Sequence, residues 1–335
     1  MPNADSSASP PASVRSGRRI SLNWSQHKWI RPVLGLAIVL ILFSLKSEQF
    51  LTSTNVRFVA AQTVLVGVCG IGMTFIMIGG GIDLSVGSVM AMAGVVVALV
   101  LKADWPWQAA ACVAIVAGSL CGLVNALIIT GLRVIPFVAT LGMLTAARGV
   151  TRHLADNRVV RLIDQPDALA GLVRPLGSAT WLAPAVWIMV VVAVVAGIVL
   201  NHTAFGRRTF AIGSNETASR FSGIRVNRQK LMLYTLGGAL TGLSGVFLFA
   251  TTSEGDPTAA VGLELQVIAA VVIGGGSLMG GEGSILGTLI GALMLTSLVN
   301  GCTLAGWPNY VQEIIIGVII VIAVALDYFQ RRVPT

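Results

Sequence analysis

Gly79-Gly80-Gly81-Ile82-Asp83-Leu84-Ser85-Val86-Gly87-Ser88 is the stretch on which the reading of this chain turns. Asp83 is the one charged residue between Arg57 and Lys102, and long apolar runs flank it on both sides. Carboxylates at membrane depth are costly and face a bundle interior or a watery cavity. Three consecutive glycines, free to adopt conformations closed to other residues, mark a place where helical backbone breaks. The stretch predicts a polytopic membrane protein with a polar break between two of its helices.

Composition narrows the class in the same direction. Of 335 residues 55% are hydrophobic and 11% charged, with a mean hydropathy of +0.85. A soluble domain carries about a quarter charged residues. One all-α membrane domain is the expectation. The net charge of +8 is spread over loops, without a basic stripe interleaved with stacking aromatics, so nucleic acid is not an expected partner. Cys69, Cys112, Cys121 and Cys302 are scattered in apolar runs and His27, His153 and His202 are isolated, so no metal site is expected.

Working outward from the break, apolar segments near the ~20 residues that span a bilayer predict about ten transmembrane helices. They lie at 29–45, 57–78, 84–101, 107–130, 135–150, 182–200, 230–251, 264–279, 284–301 and 309–327. The glycine loops at 79–83 and 274–283 are short enough to lie within the membrane. Residues 1–28, rich in Ser, Pro and Ala, read as a disordered cytoplasmic tail. Residues 29–328 form the transmembrane domain and 329–335 a C-terminal tail. An even count puts both termini on one side. With that side cytoplasmic, the larger share of the 22 Lys and Arg lies inside, although Arg148 to Arg174 place five arginines outside. Trp105, Trp107, Trp181, Trp187 and Trp307 fall near predicted helix ends, where amphipathic rings favour the interface.

The glycine clusters resemble each other: Gly79-Gly80-Gly81 precedes Gly87-Ser88, and Gly274-Gly275-Gly276 precedes Gly283-Ser284. The helix count places them six helices apart rather than the five that equal halves would require. Asp83, after glycines and before an apolar run, has the pattern of a helix N-cap, where a carboxylate accepts bonds from free amides. It equally suits a hydrophilic path, where a carboxylate and hydroxyls hydrogen-bond a polyol in transit. Candidate path residues are Asp83, Ser85, Ser88, Asn125, Gln266 and Asn300, set against the plainer role of polar side chains as bonds between helices.

The largest loop expected on the cytoplasmic side, 202–229, contains the basic segment from Gly206 to Val226. Ala211, Ile212, Ala218, Phe221 and Ile224 fall near helical spacing, as in a short surface helix that docks into a partner's groove. A solvated positive loop that only fixes topology is the alternative.

Three motifs together, Gly80-Gly81-Ile82-Asp83-Leu84-Ser85-Val86-Gly87-Ser88, the Gly206 to Val226 loop and Gly274-Gly275-Gly276-Ser277-Leu278-Met279-Gly280-Gly281-Glu282-Gly283-Ser284-Ile285-Leu286-Gly287-Thr288, resemble the permease subunits of ribose-type sugar ABC importers over about residues 30–330. The resemblance implies a bacterial inner-membrane permease that forms a homodimer or heterodimer. A separate cytoplasmic ATPase subunit with two nucleotide-binding domains would drive it, and a periplasmic sugar-binding protein would feed it. It also implies a coupling loop, with Gly206, Arg207, Gly213, Asn215, Ala218, Ser219, Gly223 and Ile224 as its residues. Only Ala218 and Gly223 match the general pattern of such loops, and the Leu-Pro ending is absent.

The residues support a division of labour. None of the lysines follows a glycine, so the chain lacks a phosphate-binding Gly-x-x-x-x-Gly-Lys loop; no cofactor is expected here, and ATP would be bound by the partner. No nucleophile, base and orienting group share a suggestive spacing, so an enzyme is not expected. The runner-up is an ion-coupled secondary transporter in which Asp83, Glu264 or Glu313 titrates.

Overall fold

The computed structural model describes residues 30–162, 166–174 and 182–332; the expected tail at 1–28 and residues 333–335 lie outside the described residues. The chain is built from helices α1 (Ile30–Lys46), α2 (Ser53–Ile78), α3 (Val86–Lys102), α4 (Trp107–Gly131), α5 (Pro136–Leu154), α6 (Asp167–Val173), α7 (Pro184–His202), α8 (Ala204–Ser214), α9 (Glu216–Phe221), α10 (Val226–Thr252), α11 (Leu263–Ile273), α12 (Ile285–Leu304) and α13 (Asn309–Arg332). Two strands of two residues each, β1 (Val160–Arg161) and β2 (Glu254–Gly255), pair antiparallel.

Every predicted apolar segment is a helix. Among the described residues five of them, α2, α4, α7, α10 and α12, are long and apolar enough to cross a membrane. α1, α3 and α11 are apolar but shorter, α13 is apolar from Asn309 to Ala325, and α5 carries Arg148, Arg152 and His153 in its last turns. The predicted helix at 264–279 ends early, at Ile273, because Gly274 and Gly275 turn the chain out of it. At about 1.5 Å per residue, the 11 residues of α11 cover only half of a ~30 Å hydrocarbon core. The expected C-terminal tail at 329–335 is also shortened, since α13 continues through Arg332.

α2 is the axis of the molecule. It is apolar on all sides, the pattern of a helix surrounded by others, and it is buried from Thr63 to Ile78. Met73 and Met77 pack with α3, α11 and α12, Val64 and Val68 with α7, and Ile71 and Phe75 with α7 and the start of α10. α4 and α10 approach most closely through Gly118, Gly122, Gly238 and Gly242, where an added Cβ would strike the facing backbone. Small residues at one-turn spacing permit such contact between membrane helices, where dispersion and weak polar contacts drive association.

The connections sort to two ends. Residues 79–85, 132–135, 203–225 and 274–284 gather at one end. At the other, β1 meets β2, Arg148 donates to the carbonyls of Pro257 and Ala259 at 2.9 and 2.7 Å, and the Phe43 ring packs tilted against Phe50 and edge-on against Trp307. The segment after β2 then descends along α3. Gly87 lies against the Ala260 carbonyl and the Glu264 carboxylate, so α11 starts inside the bundle beside the first turn of α3.

Candidate functional site: a double glycine turn seated on the basic segment

α2 and α11 end in the same way. Gly80 donates to the Met77 carbonyl at 2.9 Å and Gly81 to Ile76 at 3.0 Å; Gly275 donates to Val272 at 2.9 Å and Gly276 to Val271 at 2.8 Å. Gly80 and Gly275 adopt φ of 78° and 89°. This pairing is the Schellman motif, which uses a left-handed residue to satisfy the last carbonyls of a helix. The likeness of the two glycine clusters is therefore a likeness of helix terminations.

The two turns meet each other and α8. The Gly281 amide donates to the Ile78 carbonyl at 2.9 Å. Gly213 sits against both partners of that bond, and a Cβ there would collide with the Ile78 carbonyl and the Gly281 nitrogen. Gly280 lies over Gly80 and Gly213, and Ser214 abuts Gly281. Three segments far apart in the chain thus share one seam of bare backbone.

Between the first turn and α3 the chain is extended, and its polar groups are paired internally, as they must be without water. The Ile82 carbonyl accepts from the Tyr234 hydroxyl at 3.2 Å and from Thr140 Oγ1 at 3.4 Å. Asp83 Oδ1 accepts from the Ser85 amide at 2.8 Å and the Ser85 hydroxyl at 2.6 Å, and Ser85 Oγ accepts from Asn125 Nδ2 at 3.1 Å. The expected N-cap role of Asp83 is corrected by this geometry. Ser85 holds the cap position without a side-chain cap bond, because its hydroxyl is turned back onto Asp83. At the second break Ser284 does cap, accepting from the Gly287 amide.

Three of the six candidate path residues are therefore joined by hydrogen bonds, Asp83, Ser85 and Asn125, and Ser88 is buried one turn further along α3; all four are at most 3% exposed. Ser88 Oγ and Asn125 Oδ1 are buried with no hydrogen-bond partner. The other two do not join them. Asn300 exchanges both amide bonds with Asn55 at 2.8 and 3.0 Å, and so pins α12 to α2 near Phe50. Gln266 is half-buried on α11, outside this hydrogen-bonded cluster. Tyr234, which holds the break from α10, carried no signal in the sequence beyond being an aromatic in an apolar helix.

The basic segment is narrower than 202–229, running between the end of α7 and the start of α10, and it forms two short helices rather than one. Thr203 caps α8, and Asn215 ends it and caps α9 by accepting from the Ala218 amide at 2.9 Å. Of the expected coupling residues, Gly206 and Ser219 are buried against the chain and Gly213 belongs to the seam, whereas Arg207, Asn215, Ala218 and Gly223 are exposed and Ile224 is half-buried. Phe221, expected on the apolar face, is instead 88% exposed, and Met279 of the second glycine loop is 75% exposed at the same end. Burial pushes the Glu216 carboxyl up, but hydrogen bonds and charge from Lys230 and Arg220, each at 2.7 Å, outweigh it and leave the group below the usual carboxylate range.

Comparison with known proteins agrees with this architecture. The chain is 39% identical to the ribose import permease protein RbsC of Escherichia coli K12 over 317 residues, 93% of this chain and 97% of that one. It is 32% identical to the L-arabinose ABC transporter permease protein AraH of Azospirillum brasilense, covering 97% and 95%, and 31% identical to the fructose import permease protein FrcC of Rhizobium meliloti, covering 90% and 86%. No solved structure matches it. The family described as branched-chain amino acid transport system / permease component matches residues 55–324, from α2 to α13 and through both glycine turns, and the chain belongs to that family.

Proposed function

We propose that this chain is the membrane-spanning permease subunit of an ABC importer that carries a monosaccharide, ribose or a related sugar, across the bacterial inner membrane. The observation that carries the reading is the seam. Both helix breaks rest on α8, so a force applied to α8–α9 reaches the ends of α2 and α11 through backbone contacts that cannot slip independently. Relatives named for ribose, arabinose and fructose support a sugar as cargo.

In this reading all ten apolar helices traverse the bilayer, with α3 and α11 completed by extended segments, and both termini are cytoplasmic. The exposed face of α8–α9, with Arg207, Ala218, Gly223 and Phe221, meets an ATPase subunit carrying two nucleotide-binding domains. This chain hydrolyses nothing itself. A periplasmic binding protein delivers sugar at the opposite end, and two permease copies, identical or related, work together. The cluster of Asp83, Ser85 and Asn125 holds the break in place, and it lies with Ser88 beside the path.

Uptake of labelled sugar into proteoliposomes tests this. Transport that needs the ATPase subunit, the binding protein and ATP is expected. Uptake that persists without ATP and collapses with a protonophore would instead establish ion coupling, and leakage needing neither would make the protein a channel.

A further inference from the structure

Where α4 ends and α5 begins, a cavity of about 560 Å³ opens against α9 and the first turn of α10. Arg133, Arg220 and Lys230 line it, with Thr130, Asn227 and Glu216. Three cations thus face one carboxylate, and that carboxylate is already engaged: Glu216 Oε1 accepts from Arg220 and Oε2 from Lys230. Asn227 Oδ1 also accepts from Arg220 at 3.2 Å, so the guanidinium is held at the cavity wall. Arg133, on a left-handed backbone with φ 57°, has no hydrogen-bond or ion-pair partner among the described residues. The helices that open at the cavity, α5 at Pro136 and α10 beside Asn227, have no side-chain cap and no acidic residue in their first turns, so two positive helix ends meet the one negative end of α4 there.

We propose that this cavity binds a phosphate group. Two net positive charges in a concave site of this size suit a compact, multiply charged oxyanion better than a neutral sugar, and guanidinium groups match phosphate oxygens in pairs. The group has two possible bearers. The cavity lies at the ends of two apolar helices, the depth at which a phospholipid presents its headgroup; it is also open to soluble phosphates. Either bearer competes with Glu216 for Arg220 and Lys230, so occupancy changes how α9 is held on α10. The site stands whether or not the sugar-import reading holds.

The test uses the purified full-length chain. In one arm inorganic phosphate is titrated calorimetrically into protein in phosphatidylcholine nanodiscs; in the other, native mass spectrometry compares retention of phosphatidylglycerol with phosphatidylcholine. Saturable binding is expected in one arm, and that arm identifies the bearer. Arg133→Asn, chosen because Asn tolerates the left-handed backbone, should weaken it roughly tenfold, the size of one charge-assisted hydrogen bond, with helicity and Tm unchanged. Arg133→Lys should retain most of it, and Glu216→Gln, which removes the one carboxylate, should strengthen it. Absence of saturable binding in both arms overturns the proposal, and so does an affinity that neither Arg133→Asn nor Glu216→Gln alters. If Arg133→Asn does not fold, Glu216→Gln decides.

Discussion

The amide of Gly281 donates to the carbonyl of Ile78 across 2.9 Å, tying the second glycine loop to the last residue of the helix that ends in the first. More than 200 positions separate them in sequence, and Gly213 covers the bond, where a Cβ would collide with both partners. The bond runs from backbone to backbone and neither Gly213 nor Gly281 has a side chain, so the contact cannot relax by a change of rotamer and the seam moves as a unit.

Gly213→Ala should therefore disrupt the seam. Its Cβ meets backbone rather than a flexible side chain, and overpacking of that kind costs about 1–3 kcal/mol. Membrane insertion is expected to persist while ATP-driven uptake falls at least tenfold. Uptake at wild-type level in reconstituted vesicles would show that the seam transmits nothing.

Ala218→Arg and Gly223→Arg place a bulky charge on the exposed face of α9 and its C-terminal turn, where among the described residues nothing lies within 4 Å of a Cβ added at Gly223. The φ of 81° at Gly223 adds backbone strain to that variant, so Ala218→Arg is the cleaner of the two. Both should abolish transport and co-purification of the ATPase subunit without altering expression. Normal stimulation of ATP hydrolysis by sugar would contradict the docking surface.

Asp83→Asn preserves an acceptor for the Ser85 amide and hydroxyl and removes the cost of a buried charge. Substantial uptake should remain. Complete loss with unchanged Tm would assign the carboxylate a part in the path itself.

Tyr234→Phe deletes the hydroxyl that donates to the Ile82 carbonyl, leaving Thr140 at 3.4 Å as its partner. Polar contacts inside membrane bundles average about 0.6 kcal/mol. A small fall in thermal midpoint is expected, with transport above half of wild type; a collapse of folding would mean that the ring, not the hydroxyl, holds the break.

Acid should loosen α9 before the rest of the molecule. The Glu216 carboxyl titrates below its unfolded value, so its ion pairs contribute in full above about pH 4.3 and are lost as pH falls through the lower folded value. The group is partly exposed, and salt screens such pairs. Hydrogen exchange of residues 216–221 should rise below pH 4, and Glu216→Gln should remove that dependence.

Helices were legible because apolar length is a one-dimensional property: each of the ten predicted segments is a helix, and the glycine triplets mark its breaks. The apolar run at 264–279 continues in composition past Ile273, but Gly275 and Gly276 satisfy the last carbonyls and end the helix there. Asp83 had the spacing of a cap, but capping depends on where a hydroxyl turns, and Ser85 turned toward Asp83. Asn300 reads as a path residue because a polar residue in an apolar helix does not name its partner, and that partner, Asn55, lies 245 positions away.

From sequence alone come the membrane class, the helix positions, the basic segment and the resemblance to sugar importers, all carried by composition, local backbone preference and contiguous motifs. The tertiary structure decided which of those pieces touch: that both breaks rest on α8, that Tyr234 and Asn125 hold the extended chain, and that Arg133 and Lys230 line one cavity. Hydrogen-bond partners and close backbone approaches depend on the packing of α2, α4, α10 and α12, and packing joins residues that no local pattern relates.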